Sequence, residues 1–193
     1  MYDIIGDIHG YHKELEALLL KMGYSQSKGY FSHPSRKVIF LGDFIDRGPE
    51  IRATLHTVRA MTTHGAACAV MGNHEFNALA YATPNGNGGY LRPHTQGNQL
   101  THQATLEAFA PYQQEWQAFL DWFRGLPLFL EKEKIRIVHA GWIPGYVEFI
   151  RHRLPANRLD YAFLEEASQE GSYAYAVIAG LLKGIEIPYQ KGF

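Results

Sequence analysis

The sequence predicts an α/β fold, in which short buried strands alternate with helices. Apolar runs over residues 2–5, 38–41 and 66–71 are typical of buried strands, and a helical pattern follows each of them. Every run ends at a glycine that is followed at once by a polar residue: Asp7, Asp43 or Asn73. Because open α/β sheets bind ligands beyond the carboxyl ends of their strands, we expect the functional site there.

Length and composition indicate a globular protein without a strongly charged surface. The chain has 193 residues, of which 46% are hydrophobic and 19% charged, enough for one α/β domain and too few to argue for two. A formal net charge of -1 gives no basic field for nucleic acid or acidic membranes. The start of the chain lacks a signal-peptide pattern, and no apolar run approaches membrane-spanning length. We therefore expect a cytoplasmic protein with no nucleic-acid or membrane partner.

The first two helices have core-facing positions at helical spacing. Over residues 11–22 these positions are Leu15, Leu18, Leu19 and Met22. Pro49 suits the first position of the second helix and Glu50 its first turn. The core-facing positions of that helix are Ile51, Leu55, Val58 and Met61 or Thr62.

Residues 83–125 are predicted to be a loop-plus-helical insertion. Pro84 and Pro93 bracket the run Asn-Gly-Asn-Gly-Gly at 85–89, which favours neither helix nor strand, and a loop over 83–99 is long enough to be either disordered or a functional lid. Helices are predicted over 100–110 and 113–124. The second helix carries aromatic residues whose spacing favours core packing over a substrate platform: Trp116, Phe119, Trp122 and Phe123.

The last third of the chain completes a single predicted domain over residues 1–193. Residues 126–130 and 135–138 flank a charged stretch and are predicted to form an antiparallel hairpin. Residues 143–183 are predicted to be mostly helical, with interruptions at Pro155 and Gly171. No repeat and no low-complexity linker divides the sequence.

Metal-ligand residue types follow four of the predicted strands. Two divalent ions sharing Asp43 account for them: one held by Asp7, His9 and Asp43, the other by Asp43, Asn73 and His139. Ions in such sites lie about 3.5–4 Å apart and clamp a phosphoryl group while activating a water. Oxygen and nitrogen ligands without sulfur suit Mn, Fe, Zn or similar ions and do not choose among them.

Further residues are predicted to act on the substrate. Arg47 can fork onto phosphate oxygens and stabilise the charge of the transition state. His74 is placed to protonate the departing oxygen as a general acid, and Asp46 to pair with that imidazole and fix its tautomer. Arg92 and His94 are candidates for substrate contacts; the alternative is that both are exposed polar residues on a mobile loop.

These segments resemble a known family. Residues 6–10, 42–48, 72–75 and 139–141 are similar to the signatures of the calcineurin-like metallophosphoesterases, and the form of 42–48 resembles the phosphoprotein-phosphatase branch. That branch includes serine/threonine phosphatases and diadenosine tetraphosphatases. The resemblance covers residues 1 to about 145. It implies a four-layer α/β/β/α sandwich, a dinuclear metal site, and the roles already given to the ligands and to the three residues that act on phosphate.

The sequence departs from the family pattern near its end. The family supplies one more histidine to the second metal, from a loop after a later strand. His152 is the only histidine after His139, and it comes too soon and within a predicted helix, so we do not expect it to be that ligand. Residues 184–188 show no pattern of final strands. We therefore expect a C-terminally incomplete domain lacking its C-terminal strands, or a second site completed by water, by a partner chain or by nothing.

The sequence leaves three functions open. The first is a metal-dependent phosphoesterase that hydrolyses a phosphomonoester or nucleotide polyphosphate through a metal-bridging hydroxide; its substrate is a phosphorylated small molecule, a nucleotide or a phosphoprotein. The second is a non-catalytic metal- or phosphate-binding module, or an inactive truncated form that lacks the sixth metal ligand. The third, a regulatory or structural role independent of metal, does not explain why every motif residue is present. The sequence does not indicate the substrate, the native metal or the oligomeric state.

Overall fold

The strands of the protein form two sheets. The computed structural model describes residues 1–26, 28–132 and 134–185. Within these ranges three parallel strands make the first sheet, with the second strand in the centre: β1 (Tyr2–Ile5), β2 (Lys37–Phe40) and β3 (Ala67–Ala69). The second sheet is an antiparallel hairpin of β4 (Phe129–Lys132) and β5 (Ile135–Val138). The three predicted strands of the parallel sheet are confirmed, although β3 is shorter than predicted. The hairpin is also confirmed, but its first strand begins at Phe129 rather than at residue 126 and includes Glu131 and Lys132, which were predicted to lie between the strands.

Helices occupy most of the rest of the chain. α1 (His12–Lys21) follows β1, and α2 (Ile51–Thr63) follows β2. The helices after β3 are α3 (Asn73–Ala82), α4 (Gln96–Phe109), α5 (Gln113–Arg124), α6 (Pro144–Arg153), α7 (Tyr161–Ala167) and α8 (Tyr173–Leu182). A 3₁₀ turn at Pro155–Asn157 and a bend at Gly171 separate the last three, as predicted. The α/β class predicted from the sequence is confirmed.

The central strand β2 is buried on both faces. Val38 and Phe40 belong to the main core, whereas Ile39 points to the opposite face and packs with Ile137 of β5. Val38, Ile39 and Phe40 are all fully excluded from solvent. Since successive side chains of a strand alternate between faces, this burial fixes the register of the sheet and therefore the position of the loop after β2.

Two details of the first helices differ from the prediction. Leu18 is 41% exposed, although it lies on the same helix as the buried Leu15 and Leu19. Helix α2 begins at Ile51, so Pro49 and Glu50 precede it. The Glu50 carboxylate accepts a hydrogen bond from the backbone N–H of Lys13 and pairs with the Lys13 ammonium group. These contacts draw the carboxylate away from the first turn of α2. Of the two alternatives for the last core-facing position of α2, Met61 is the buried one and Thr62 is not.

The segment over 83–99 folds as a closed turn that leads into α4. The Asn85 side chain accepts the backbone N–H groups of Asn87 and Gly89 at 2.9 and 3.0 Å, which closes the glycine-rich run. Helix α4 begins at Gln96, four residues before the predicted start, because the Thr95 hydroxyl caps it. The aromatic residues of α5 pack in the core as predicted: Trp116, Phe119 and Phe123 are buried and Trp122 packs against them.

Two further predictions concern the layers of the fold and the strands at the end of the chain. Helices, the parallel sheet and the hairpin form successive layers, and the full four-layer sandwich stays a prediction. The predicted lack of C-terminal strands concerns residues 186–193, which lie outside the described part of the chain. In the described part, no helix has the length and apolar character needed to cross a bilayer.

Candidate metal centre

The loops after β1 and β2 are held together by backbone hydrogen bonds. The N–H of His9 donates to the carbonyl of Asp43 at 2.8 Å, and the N–H of Gly48 donates to the carbonyl of His9 at 2.7 Å. The N–H of Gly10 likewise donates to the carbonyl of Phe44 at 2.9 Å. The two motifs that carry most of the predicted ligands therefore form one unit at the carboxyl edge of the sheet.

Glu75 fastens the loop after β3 to this unit. Its fully buried carboxylate accepts three backbone N–H groups, those of Asp43 and Phe44 at 2.8 Å and that of Gly72 at 3.0 Å. Gly72 must be a glycine, because a Cβ atom there would lie 2.2 Å from Oδ1 of Asp43. We did not predict this role for Glu75; the signal was an acidic residue at the third position of a helix that directly follows a strand.

Replacing Glu75 with glutamine should destabilise the fold. Burial, together with the nearby Asp43, raises the pKa of Glu75 to about 7, so the group is charged at pH 8. A glutamine amide has one acceptor oxygen and must direct its NH₂ group at a backbone N–H, which we expect to lower the free energy of unfolding by about 1–3 kcal/mol. Urea denaturation at pH 8 measures this change. The exposed Glu165→Gln on α7 is the control, with an expected change within about 0.5 kcal/mol; equal stability of the two variants would refute the fastening role.

Backbone strain is concentrated at this edge. Among the described residues, seven that are not glycine have positive φ angles, and five of them belong to the predicted site: Asp7, His9, Asp43, Asp46 and Arg47, with φ between 48° and 67°. Left-handed φ angles are unfavourable for residues with a Cβ atom and persist where the surrounding structure holds them. The hydrogen bonds between the loops supply that restraint and direct the side chains toward a common point.

Three imidazoles converge on one oxygen of the Asp43 carboxylate, which is 3% exposed. From Oδ2 of Asp43, the Nε2 atom of His139 lies at 3.5 Å, that of His9 at 3.7 Å and that of His74 at 4.0 Å. Potential ligand atoms of Asp7, Asp43 and His139 lie within 4.8 Å of one another, as do those of His9, Asp43 and His74. Asp43 belongs to both groups, as a ligand that bridges two ions must.

The histidine hydrogen bonds leave lone pairs free to bind a cation. Nδ1–H of His9 donates to the carbonyl of Ile45 at 2.8 Å, and Nδ1–H of His139 to that of Leu41 at 2.6 Å. Such bonds fix the tautomer in which Nε2 is unprotonated. Nε2 of His9 is buried and has no hydrogen-bond partner in the described chain. An unpaired buried nitrogen facing a carboxylate is what a missing metal ion would leave, so these residues fit the group.

Asn73 faces the same cluster. One of its amide atoms lies 3.1 Å from Nε2 of His139, 3.3 Å from Oδ2 of Asp43 and 3.2 Å from the carbonyl of Leu182, all of which are acceptors. As a nitrogen, this atom donates to them; as an oxygen, it requires a cation in their midst. Asn73, the first residue of α3, therefore lies beside Asp43 and His139, and its role as a metal ligand stays a prediction.

The geometry bears on how the ligands are shared. We expected Asp7 to accompany His9, yet the structure groups Asp7 with Asp43 and His139, and places His74 beside His9. The assignment of individual ligands to one ion or the other therefore stays a prediction. His152 lies on the exposed face of α6, with Nδ1 2.8 Å from the carbonyl of Glu148 in its own helix, and does not belong to either group.

Asp46 and His74 form a buried pair. Nδ1 of His74 lies 2.5 Å from Oδ2 of Asp46. Helix α4 contributes two further contacts to this carboxylate: Nδ1 of His102 donates to Oδ1 at 2.8 Å, and the Thr105 hydroxyl donates to the same oxygen at 2.6 Å. We did not predict His102 and Thr105, whose spacing of three residues on α4 is their one sequence signal.

This network perturbs both titrating groups. Burial acts to raise the pKa of Asp46, but the hydrogen bonds from His102, His74 and Thr105 outweigh it and hold that pKa well below its usual range. Burial acts to lower the pKa of His74, but the bond to Asp46 and the charge of Asp43 raise it above its ordinary value. His74 is therefore biased toward the protonated form that a general acid requires.

Replacing Thr105 with valine tests the anchoring of Asp46. The Thr105 hydroxyl also accepts the backbone N–H of Asp46 at 3.0 Å, and both groups are buried. Valine keeps the shape but leaves that N–H without an acceptor, so we expect a loss of about 1–3 kcal/mol in the free energy of unfolding. The exposed Thr101→Val on the same helix should change it by less than about 0.5 kcal/mol. Thermal unfolding of both variants measures the difference, and indistinguishable curves would contradict the anchoring.

The predicted substrate-contact residues occupy different surroundings. Arg47 is exposed and lines a cavity of about 450 Å³ together with His74 and one face of α4. Arg92 is half-buried and lines a second cavity, whose wall also includes Asn73. His94 is stacked between Tyr81 and Tyr90, with ring centroids at 3.8 and 4.0 Å, and its Nε2 donates to the carbonyl of Tyr81.

Comparisons with known proteins agree with this geometry. The chain is 38% identical over 150 residues to the asymmetrical bis(5'-nucleosyl)-tetraphosphatase PrpE of Geobacillus thermodenitrificans, covering 75% of this chain and 59% of that protein. It is 32% identical over 142 residues to the symmetrical bis(5'-nucleosyl)-tetraphosphatase of a Janthinobacterium species, covering 74% and 44%. The chain thus spans about half of the length of such curated relatives.

A solved structure supports the fold. The cold-active protein-tyrosine phosphatase of a psychrophilic Shewanella species superposes with a TM-score of 0.53 at 18% identity, covering 93% of this chain and 51% of that chain. The sequence model of one family, described as calcineurin-like phosphoesterase, matches residues 2–179. The chain belongs to the calcineurin-like phosphoesterase family.

Proposed function

We propose that the protein is a metal-dependent phosphoesterase that hydrolyses a nucleotide polyphosphate or a phosphomonoester. The observation that carries this proposal is the convergence of three imidazole Nε2 atoms within 4.0 Å of one buried oxygen of Asp43. The names of the relatives favour the nucleotide polyphosphate, since both describe cleavage of a bis(5'-nucleosyl) tetraphosphate.

The proposed metal ligands are Asp7, His9, Asp43, Asn73 and His139. Two divalent ions held by such a set polarise a phosphoryl oxygen and activate a water for attack on phosphorus. The number and the identity of these ions stay predictions, and we expect manganese. A cytoplasmic location of the protein also stays an expectation. The buried carboxylate and the fixed histidine tautomers keep the donor atoms in place before any ion arrives, which lowers the cost of assembling the site.

The other residues handle the phosphate and its leaving group. Arg47, exposed at the mouth of the cavity that His74 lines, is placed to contact the equatorial oxygens of the phosphoryl group. His74 transfers its Nε2 proton to the departing oxygen. Asp46 fixes the orientation of His74 through Nδ1, and His102 and Thr105 in turn hold Asp46. His94 stays a predicted substrate contact, although its stacking between two tyrosines favours a structural role.

The second candidate is a metal- or phosphate-binding module without turnover. The observation in its favour is that, within the described chain, neither ligand group contains a histidine from beyond His139. A count of metal ions per chain, read beside an activity assay, separates the candidates.

The test uses the whole chain with added Mn²⁺. We expect hydrolysis of p-nitrophenyl phosphate and of diadenosine tetraphosphate, with close to two ions bound per chain. A phosphopeptide in the same assay tests the phosphoprotein alternative. One bound ion and no turnover with any divalent metal would favour the non-catalytic module and overturn the proposal.

A further inference from the structure

A second cavity, distinct from the one that Arg47 lines, adjoins the metal centre at Asn73. It has a volume of about 240 Å³ and lies between α3, residues 91–98 and the helices α7 and α8. Asn73 forms one end of its wall and also faces Asp43 and His139. A molecule whose phosphate is bound at the metal centre therefore has direct access to this space, which we call the side cavity.

The side cavity contains a positive charge whose side-chain hydrogen-bond partner in the described chain is uncharged. Arg92 is half-buried there, and its Nη1 atom donates to Oδ1 of Asn77 at 3.2 Å, an uncharged partner. The backbone N–H of Arg92 donates to the carbonyl of Ala80 at 3.0 Å, so the residue is held at the cavity wall by α3. A guanidinium stays charged at neutral pH, and a partly desolvated charge favours an anionic partner.

The rest of the lining adds a second cation and a flat apolar surface. Lys183 is exposed at the end of α8, and the exposed Glu170 is the single acidic group among the described lining residues. Apolar and aromatic side chains, among them Phe76, Leu91 and Tyr175, cover much of the wall. Cations beside aromatic and apolar surface suit a ligand that joins a phosphate to a planar ring system.

The size of the side cavity narrows the class of ligand further. Pockets for drug-sized molecules are roughly 300–1,000 Å³, so a cavity of about 240 Å³ is slightly smaller than that range. Such a cavity can hold one nucleotide unit at most, whereas a folded phosphoprotein would contact only its rim.

We propose that the side cavity binds the nucleotide unit next to the phosphate that is cleaved. Arg92 and Lys183 contact the phosphate of that unit, and Tyr175 packs against its base. This inference rests on the proposed function and specifies its substrate as a nucleoside polyphosphate.

The test measures binding of ADP to the metal-free protein in EDTA by isothermal titration calorimetry. Arg92→Gln should weaken ADP binding by about 10- to 100-fold, the usual effect of losing a charge-assisted hydrogen bond. Lys183→Gln, at an exposed position that places no demand on folding, should weaken it in the same direction. Arg124→Gln, which removes an arginine paired with Asp121 on α5, is the matched control and should bind ADP as the unaltered protein does.

The possible outcomes are distinct. Weakened ADP binding in both cavity variants but not in the control supports the proposal, as does binding of inorganic phosphate that is far weaker than that of ADP. Absence of ADP binding to the unaltered protein, or equal affinity in all variants, overturns it. Hydrolysis of p-nitrophenyl phosphate with Mn²⁺ reports separately on the proposed function. Turnover together with equal ADP affinity in all variants rejects the side cavity and leaves the function standing. Absence of turnover with any divalent metal rejects the function and, with it, the substrate assigned to the side cavity.

Discussion

Asp43→Asn is expected to abolish both metal binding and turnover. The variant removes the negative charge from the oxygen on which His9, His74 and His139 converge, and Asp43 is the one residue common to both ligand groups. Loss of a residue that merely supports a ligand costs about 10- to 100-fold in metal affinity, so we expect loss of the shared ligand to exceed about 100-fold. Equilibrium dialysis followed by elemental analysis measures the bound metal.

The asparagine variant should remain folded. Oδ1 of Asp43 accepts the backbone N–H of His74 at 3.1 Å, and an asparagine oxygen can keep that bond. The three N–H groups that Glu75 holds do not involve the Asp43 side chain. An unfolding midpoint close to that of the unaltered protein therefore serves as the control. Full metal occupancy in Asp43→Asn would show that the carboxylate does not bridge the ions.

His74→Asn is expected to retain metal and lose turnover. General acid catalysis contributes about 10²- to 10⁴-fold, and the hydrogen bond to Asp46 places His74 in the protonated, oriented form that this role requires. The loss should depend on the leaving group, because a proton is needed most where the departing oxygen is strongly basic. We expect a larger decrease in kcat for an alkyl phosphate than for p-nitrophenyl phosphate, measured with the same enzyme preparation.

Two further results define the role of His74. The number of ions per chain should equal that of the unaltered protein, since His74 contributes a backbone N–H to Asp43 that asparagine keeps. A decrease of equal size for both phosphate esters would indicate that His74 acts on the metal centre rather than on the leaving group. Unchanged turnover would refute the general-acid assignment.

The strand ends could be predicted because their signal is local. Asp43 follows Gly42 shortly after the end of β2, and the burial of Val38, Ile39 and Phe40 is visible in their apolar residue types. The helices α1, α2 and α5 could be predicted from apolar spacing for the same reason. The exposure of Leu18 could not, because it depends on which elements pack against α1 and not on the spacing within that helix.

The contacts that organise the site were not predictable from one sequence. His102 and Thr105 reach Asp46 across 56 and 59 residues of chain, through packing of α4 that no local pattern specifies. The same holds for Glu75, whose three N–H donors come from two different loops. The arrangement of Asp7 beside His139 depends on the left-handed φ of 49° at Asp7, which the residue type alone does not impose.

The most direct measurement of the central claim is anomalous X-ray diffraction from crystals of the protein grown with Mn²⁺. We predict two anomalous peaks at the carboxyl edge of the parallel sheet, both in contact with the carboxylate of Asp43 and flanked by His9 and His139. Peaks elsewhere on the molecule, or an Asp43 carboxylate that contacts no ion at saturating Mn²⁺, would contradict it.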